Sequence, residues 1–433
     1  MTQSSSFERW QYPRKRQVLL RLLAVFVLFC SCGTQDRFVS HARFSAHAPR
    51  ATVQTSSDGL SPRIRGIAHE IAALRGWKDE LSVACEYADI SRIRQALAAE
   101  VRTQTPAAVL RDQTLFLEAL GLVPHGFNLE TTLLDAFAPE VLGIYSLTWG
   151  RIFIAEGNPL ASTESVLRHE LVHAFQDRLF HLEQRVIWAP NRGDEVAAVH
   201  ALAEGEAVCI ARQLEDPNHQ GCLGGNASAE DRIFEREIPN LPPTIRYGLF
   251  APYADGVRLV RRLLRQGGWQ RVDVAWSNGP HSTRELFRDS EAALSASDLP
   301  TLSPPDAGCT SENSDMLGEQ GLASILFDKN GLLAARKSAS WLQSDRVTYW
   351  RCGDFCAAIW QLRSLTVEGA TVLASDLRQA LPVDSSVEVS PPTNRAAAVA
   401  GRMKLEHNLR DIVITSVHNC FPTAFQIGTP SGS

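Results

Sequence analysis

The sequence predicts an α+β fold that is mainly helical. Apolar residues recur with helical spacing over long segments, most clearly at 165–177 and 194–209. Residues typical of strands form shorter runs: 141–147 and 151–155 flank a Thr-Trp-Gly turn, which indicates a β-hairpin. The 433-residue chain is 44% hydrophobic, which is enough for a sizeable core. Its net charge is −5 and no basic run follows the N-terminal leader, so we expect no nucleic-acid partner.

Residues 1–32 are typical of an export signal. Basic residues precede an apolar run at 22–32 that is too short to span a membrane comfortably. The run ends in Phe-Cys-Ser-Cys-Gly, which loosely resembles a bacterial lipobox with Cys32 as the residue to be lipidated. We therefore expect an exported lipoprotein of a bacterial cell envelope, held to the membrane by its N-terminal lipid anchor. Cleavage and free secretion are the alternative.

The remainder of the chain divides into four predicted segments. Residues 33–60 are polar and predict a flexible tether. Residues 61–295 form the main domain, in which helices precede the hairpin and follow it. After a stretch rich in Ser, Pro and Asp, residues 315–390 predict an α/β region that packs on this domain. Residues 391–433 form a tail that is poorly predictable.

Seven cysteines follow Cys32, and some should pair in the oxidising compartment that an export signal implies. Cys352 and Cys356 join two runs with a strand pattern, so they could form a disulfide across a tight turn. Cys209 and Cys222 could bind a predicted helix to the loop that follows it. A cysteine zinc site is the alternative for Cys352 and Cys356.

The chemistry is concentrated in His169-Glu170-Leu-Val-His173, inside the helical segment at 165–177. Residues four apart leave the same face of a helix, so the two imidazoles can hold one Zn²⁺. Glu170 stands beside them and can be the base that deprotonates the attacking water. The alternative is a pair of solvated or core-capping histidines without a metal.

A catalytic zinc usually has three protein ligands, and Glu204 is the best candidate for the third. It lies on a helical face of small residues, where a carboxylate is costly to bury unless it meets a cation. His200 shares that face one turn earlier and could itself be a ligand, but we expect it to orient a ligand or pack in the core. Glu206 points to a different side, where we expect it to be solvated. Asp177 or Asp194 could orient a ligand imidazole.

The segments 169–177, His-Glu-Leu-Val-His-Ala-Phe-Gln-Asp, and 201–207, Ala-Leu-Ala-Glu-Gly-Glu-Ala, resemble the gluzincin zinc peptidases. More closely, the chain resembles a group of bacterial secreted or lipoprotein zincins over roughly residues 77–385. Where that group carries Ser-Thr-Glu-Gln, this chain has Ser-Thr-Arg-Glu at 282–285. The resemblance implies a zincin-like metallopeptidase domain at 61–295 with an active-site helix, an edge β-hairpin that aligns the substrate, and a helical C-terminal region.

The resemblance also implies an activity, that of an extracytoplasmic zinc-dependent peptidase acting on a peptide or protein. The two histidines and Glu204 would hold Zn²⁺, and a donor would be needed for the oxyanion that forms on the substrate. Tyr253 is the preferred candidate for this donor, ahead of His281 and Tyr247. The alternative function is a non-catalytic envelope lipoprotein with a zincin fold, acting as a binding or scaffolding module.

Overall fold

A computed structural model describes most of the chain, in the ranges 62–78, 81–138, 141–157, 160–215, 222–224, 231–235, 241–288, 299–305, 308–353, 355–383 and 402–419. The predicted export signal with Cys32 and the predicted tether at 33–60 lie outside these ranges. No helix within them is long and apolar enough to cross a membrane.

The fold is α+β and mainly helical, which confirms the prediction at this level. The helices are α1 (Pro62–Arg75), α2 (Ile90–Gln104), α3 (Ala107–Ala119), α4 (Leu129–Phe137), α5 (Leu160–Phe180), the short α6 (Leu182–Arg185), α7 (Gly193–Glu215), α8 (Pro243–Asn278), α9 (Gly318–Ala339) and α10 (Val367–Ala380). The strands are β1 (Ala84–Ala88), β2 (Gly143–Ser146), β3 (Arg151–Ala155), β4 (Thr310–Asp315), β5 (Leu342–Cys352), β6 (Phe355–Ser364), β7 (Arg402–Asn408) and β8 (Asp411–Asn419).

Several helices begin at a residue whose side chain caps the free backbone N–H groups of the first turn. Asp89 accepts a hydrogen bond of 2.8 Å from the N–H of Arg92 at the start of α2. Asn128 caps α4 in the same way. At the start of α8 the residue is Pro243, whose missing N–H costs nothing in the first turn.

The predicted hairpin belongs to a three-stranded sheet with the order β1-β3-β2. Strands β2 and β3 pair antiparallel, whereas β1 pairs with β3 in parallel. Strand β2 is therefore an edge strand, and it packs against α5.

Helix α7 crosses α8 at a distance that only glycine permits. A side chain on Gly205 would lie 2.2 Å from the backbone of Gly256, and one on Gly256 would lie 1.9 Å from the carbonyl oxygen of Ala201. The disulfide between Cys209 and Cys222, a pairing that the sequence suggested, ties α7 to the loop beyond it. These contacts set the position of α7 within the core.

The C-terminal region combines the helices α9 and α10 with a five-stranded antiparallel sheet of the order β4-β5-β6-β8-β7, so it is helical only in part. Strands β7 and β8 lie within the predicted tail at 391–433, yet β8 pairs with β6 along its length. Tyr349 and Trp360 of this sheet pack edge-on against Phe116 of α3, so the sheet shares a core with the N-terminal helices.

The predicted disulfide between Cys352 and Cys356 is wrong, because Cys352 is bonded to Cys309. The strand register explains the difference. Arg351 lies opposite Cys356 on one side and opposite Thr310 on the other, which places Cys309 beside Cys352. Cys356 is also in a disulfide. The alternative cysteine zinc site is therefore excluded as well.

Candidate metal centre

Helices α5 and α7 pack together and gather the three residues that the sequence indicates as metal ligands. His169 and His173 occupy successive turns of α5, and Glu204 lies on the facing side of α7. Nε2 of His169 lies 3.0 Å from Nε2 of His173 and 3.1 Å from Oε2 of Glu204. Nε2 of His173 lies 3.6 Å from the other carboxylate oxygen. This ligand cluster could hold a metal ion, and no second group of this kind occurs in the described ranges.

The ligand cluster is buried, with His169 and Glu204 only 1% and 3% exposed. Burial alone would raise the pKa of Glu204, but the charges and hydrogen bonds of the two imidazoles outweigh it and hold that pKa below its usual range. Burial alone would lower the pKa of His173, but the Glu204 carboxylate outweighs it and raises that pKa to about 9. Without a metal, a protonated imidazole therefore neutralises the carboxylate.

Glu170 lies beside the ligand cluster and is held by the edge strand. It is 4% exposed and lines the cavity described below. Its Oε2 accepts a hydrogen bond of 2.7 Å from the backbone N–H of Tyr145 on β2. A main-chain donor thus fixes the carboxylate next to the ligands, where a proton acceptor would be needed for hydrolysis.

An open cavity adjoins the ligand cluster, and its empty space of about 540 Å³ includes the solvent at its mouth. Its walls come from α2, β2, α5, α6 and α7. Apart from the ligands themselves, the polar residues of the lining are Glu100, Gln104, Tyr145, Glu170 and His200.

Strand β2 turns its unpaired edge toward this cavity. In an antiparallel pair, the backbone groups of alternate residues point toward the partner strand and away from it. The carbonyl group of Leu142 accepts a hydrogen bond from Ala155 at the end of β3, and that of Ser146 accepts one from Gly150, just before β3. Those of Gly143 and Tyr145 therefore point outward, and both residues line the cavity. The strand offers these two carbonyl groups as acceptors to an extended chain lying in the cavity, while the N–H of Tyr145 holds Glu170.

Gln176 orients the imidazole of His173. Nδ1 of His173 lies 2.8 Å from Oε1 of Gln176. The Gln176 amide nitrogen donates to the carbonyl oxygen of Ala203 and to Oε2 of Glu206, so its oxygen must face the ring and accept the Nδ1 hydrogen. This arrangement directs Nε2 of His173 into the ligand cluster.

Glu206 is fully buried, so the prediction that it is solvated is wrong. Its Oε1 accepts a hydrogen bond of 2.7 Å from Nε of Arg75, and its Oε2 accepts one of 2.8 Å from the indole of Trp276. The Arg75 guanidinium lies 4.6 Å and 4.5 Å from the ring centres of Trp77 and Trp269. Glu206 thus anchors α7 to α1 and α8.

Neither Asp177 nor Asp194 contacts a ligand imidazole through its carboxylate in the way the sequence suggested. Asp177 accepts a hydrogen bond of 2.7 Å from the hydroxyl of Tyr145, so it supports the edge strand. Asp194 accepts hydrogen bonds from the backbone N–H and the hydroxyl of Thr283. That hydroxyl also accepts the N–H of Gln320, so the Ser-Thr-Arg-Glu segment joins the starts of α7 and α9.

None of the three candidate oxyanion donors lines the cavity, whereas His200, which we expected to orient a ligand or pack in the core, does. Tyr253 and Tyr247 are buried in α8 and do not line it. His281 is exposed, and its backbone N–H is bonded to Glu285. His200 is 2% exposed and lines the cavity one turn before the Glu204 ligand. The geometry therefore favours His200 over Tyr253.

Three residues of the site escaped the sequence analysis: Glu100, Tyr145 and Gln176. Glu100 had a signal, because it lies on the same helical face as Ile93 and Leu97, and a charge on an apolar face needs an explanation. Tyr145 contributes its backbone N–H, a group that every residue except proline has. No sequence pattern could single it out.

Comparisons of the chain with protein-family models, curated proteins and solved structures found no match. What the site can do is therefore inferred from its own geometry and chemistry.

Proposed function

We propose that this protein is an extracytoplasmic zinc-dependent peptidase. The observation that carries the proposal is the convergence of two imidazole nitrogens and a carboxylate beside a second carboxylate and an open cavity. Ligand atoms about 2 Å from a tetrahedral zinc lie roughly 3.3 Å apart. The two imidazole nitrogens lie 3.0 Å apart, and each lies 3.1 or 3.6 Å from its nearer oxygen of Glu204, so the residues fit this ion. Bound zinc would polarise the scissile carbonyl and lower the pKa of its water toward neutrality.

The protein's own residues supply the remaining parts of amide hydrolysis. Glu170, fixed by the Tyr145 N–H, accepts the proton of the attacking water and delivers it to the leaving amine. His200 is the cavity residue placed to donate a hydrogen bond to the oxyanion. The outward carbonyl groups of Gly143 and Tyr145 align an extended peptide as an added strand.

The decisive experiment compares Glu170→Gln with the wild type for metal content and for cleavage of a denatured-protein mixture. Glu170→Gln should keep its metal and fold but lose hydrolysis by roughly 10²–10⁴-fold, because it removes the base and spares the ligands. Glu164→Gln is a matched control on the same helix, since Glu164 pairs with Arg168 instead of reaching the cavity. A wild-type protein that binds zinc but cleaves nothing would instead support the binding or scaffolding module.

The cellular location rests on the leader alone, and we propose export with acylation at Cys32. Cys32→Ser should move the protein from the membrane fraction to the soluble fraction, because lipid chains would supply the durable attachment. Metal content should not change. A Cys32→Ser protein that stays in the membrane fraction would contradict the lipid anchor.

A further inference from the structure

Glu100 is a buried carboxylate in the cavity wall that the proposed mechanism does not use. It lies on the inner face of α2, is 2% exposed, and lines the cavity together with Gln104, one turn further along the helix. Placing a carboxylate in such a position is costly unless something compensates its charge.

The contacts of Glu100 leave one of its oxygens weakly held. Oε1 accepts hydrogen bonds from the hydroxyl of Ser146 and, at 3.1 Å, from the backbone N–H of Thr148, and the Thr148 side chain also hydrogen-bonds to the carboxylate. Oε2 has a contact of 3.4 Å with the amide nitrogen of Gln104, which is long for a hydrogen bond. Oε1 therefore holds the hairpin turn, while Oε2 can accept a hydrogen bond from a stronger donor.

No basic side chain in the described ranges neutralises Glu100, and burial raises its pKa. Some other buried carboxylates of this protein do have such partners, whereas Asp194 and Asp345 accept hydrogen bonds from neutral donors. Arg75 pairs with Glu206 and Arg258 pairs with Asp255. Glu100 differs from them in lining a cavity, so its missing cation can come from a ligand.

The contacts of Glu100 with the end of the edge strand β2 indicate how far Glu100 lies from the bond to be cleaved. Its partners Ser146 and Thr148 follow Tyr145, whose N–H holds the Glu170 base. Strand residues are about 3.3 Å apart, so Glu100 lies within roughly three residues of the scissile bond of a peptide paired with β2. A lysine or arginine side chain, or a free α-amino group, can span this distance.

We propose that Glu100 forms a subsite for a positively charged group of the substrate near the scissile bond. The group is the ammonium or guanidinium of a Lys or Arg residue, or the α-amino group of a peptide. This inference rests on the proposed peptidase function, since that function places a peptide along β2. It adds a substrate class, peptides with a cation close to the cleavage point.

The experiment measures binding and needs no hydrolysis. Zinc-loaded Glu170→Gln protein is titrated with fluorescent hexa-alanine peptides, each carrying one Lys at a different position. A matched set carries norleucine, which has the same chain without the charge. Both sets are made with free and with acetylated N-termini, so the side chain and the α-amino group are distinguished as sources of the cation.

At one position, Lys should bind more tightly than norleucine, or the free amine more tightly than the acetylated one, by roughly tenfold or more. Adding Glu100→Gln should remove that difference and leave the neutral peptides unchanged. Ser146→Ala is the matched control, because it weakens the hairpin clamp and keeps the carboxylate, so the preference should survive. Thermal unfolding of each variant checks that the fold is intact.

Equal binding of charged and neutral peptides at every position would overturn the subsite. So would an equal loss of affinity for all peptides in Glu100→Gln, which is the result of a purely structural clamp. Failure of the peptidase proposal gives a different result. If the peptides bind with a preference for the cation but the wild type hydrolyses none of them, the subsite is supported and the peptidase function is rejected.

Discussion

Helix α7 carries two buried carboxylates on opposite sides, Glu204 toward the cavity and Glu206 toward the packed interior. Residues two apart on a helix are rotated by about 200°, so the two side chains have different surroundings. Both are at most 3% exposed. Glu206 meets Arg75 and Trp276. Among the described residues, the imidazoles of His169 and His173 lie next to the Glu204 carboxylate.

The difference lies in the source of the compensating positive charge. On the packed side the protein supplies a permanent cation, because a guanidinium keeps its proton at any ordinary pH. On the cavity side it supplies imidazoles, which can carry a proton or give it up to bind a metal. A buried carboxylate paired with arginine stabilises the fold. A buried carboxylate paired with imidazoles can instead bind an exchangeable metal ion. Four predictions test this contrast.

The largest expected effect is the loss of metal in Glu204→Ala. This change removes one of three ligands, so zinc should fall from roughly one ion per chain to almost none. Glu206→Ala, two residues away, should keep its zinc when folded, because its side chain does not enter the ligand cluster. Elemental analysis after dialysis measures both. Full zinc in Glu204→Ala, or its loss in folded Glu206→Ala, would reverse the assignment of the two sides.

The next effect is on stability, in Glu206→Ala. It leaves the fully buried guanidinium of Arg75 without its main partner, which should lower the free energy of unfolding by about 3–5 kcal/mol. Urea unfolding of the metal-free protein measures the loss. The double variant Arg75→Leu with Glu206→Leu should lose less than either single variant, because no unpaired charge remains. A loss below about 1 kcal/mol in Glu206→Ala would show that the pair does not hold α7 in place.

The third effect concerns Asp194, another buried carboxylate of α7, and the pH dependence of the free energy of unfolding. Burial raises its pKa from 3.8 to about 7, so the folded protein binds a proton that the unfolded chain releases between these values. The proton held by Asp194 stabilises the folded protein fully below pH 4. This stabilisation is lost as the pH rises toward 7, and the free energy of unfolding falls by at most about 1.4 kcal/mol per pH unit. Urea unfolding between pH 4 and 8 should show a flatter dependence for Asp194→Asn than for the wild type. Equal slopes would contradict this.

The smallest expected effect is on metal affinity in Gln176→Met. The change removes the acceptor for the Nδ1 hydrogen of His173 while keeping the side-chain length, so zinc affinity should fall by roughly 10–100-fold. Competition with a chelator measures it on the folded protein. Gln184→Met on α6 controls for the substitution, because Gln184 is exposed and bonded to Glu183. Unchanged affinity in Gln176→Met would show that the imidazole needs no orienting partner.

Much of the candidate site could be predicted because it depends on local spacing. The placement of His169 and His173 on one face of α5 follows from their separation of four residues. Short β-rich runs around a turn predicted the hairpin of β2 and β3. Glu204 followed from the cost of burying a carboxylate among small residues, and the structure brings it to the histidines.

Other features depend on register between distant strands, which local patterns do not contain. Cys352 pairs with Cys309 because β4 lies beside β5, a relation between residues 43 positions apart. Strands β7 and β8 find their place only by pairing with β6. The clamp between Glu100 and the hairpin joins residues separated by 46 positions.

The sequence by itself determined which residues share a face of α7, because helical geometry is set by neighbours along the chain. Only the tertiary structure decided which face meets the cavity and which meets the core. Glu204 and Glu206 stand in similar local sequence, among alanines and a glycine. Their roles diverge because Arg75, 131 positions away, and Trp276, 70 positions away, pack against one side of the helix, while α5 brings two imidazoles to the other.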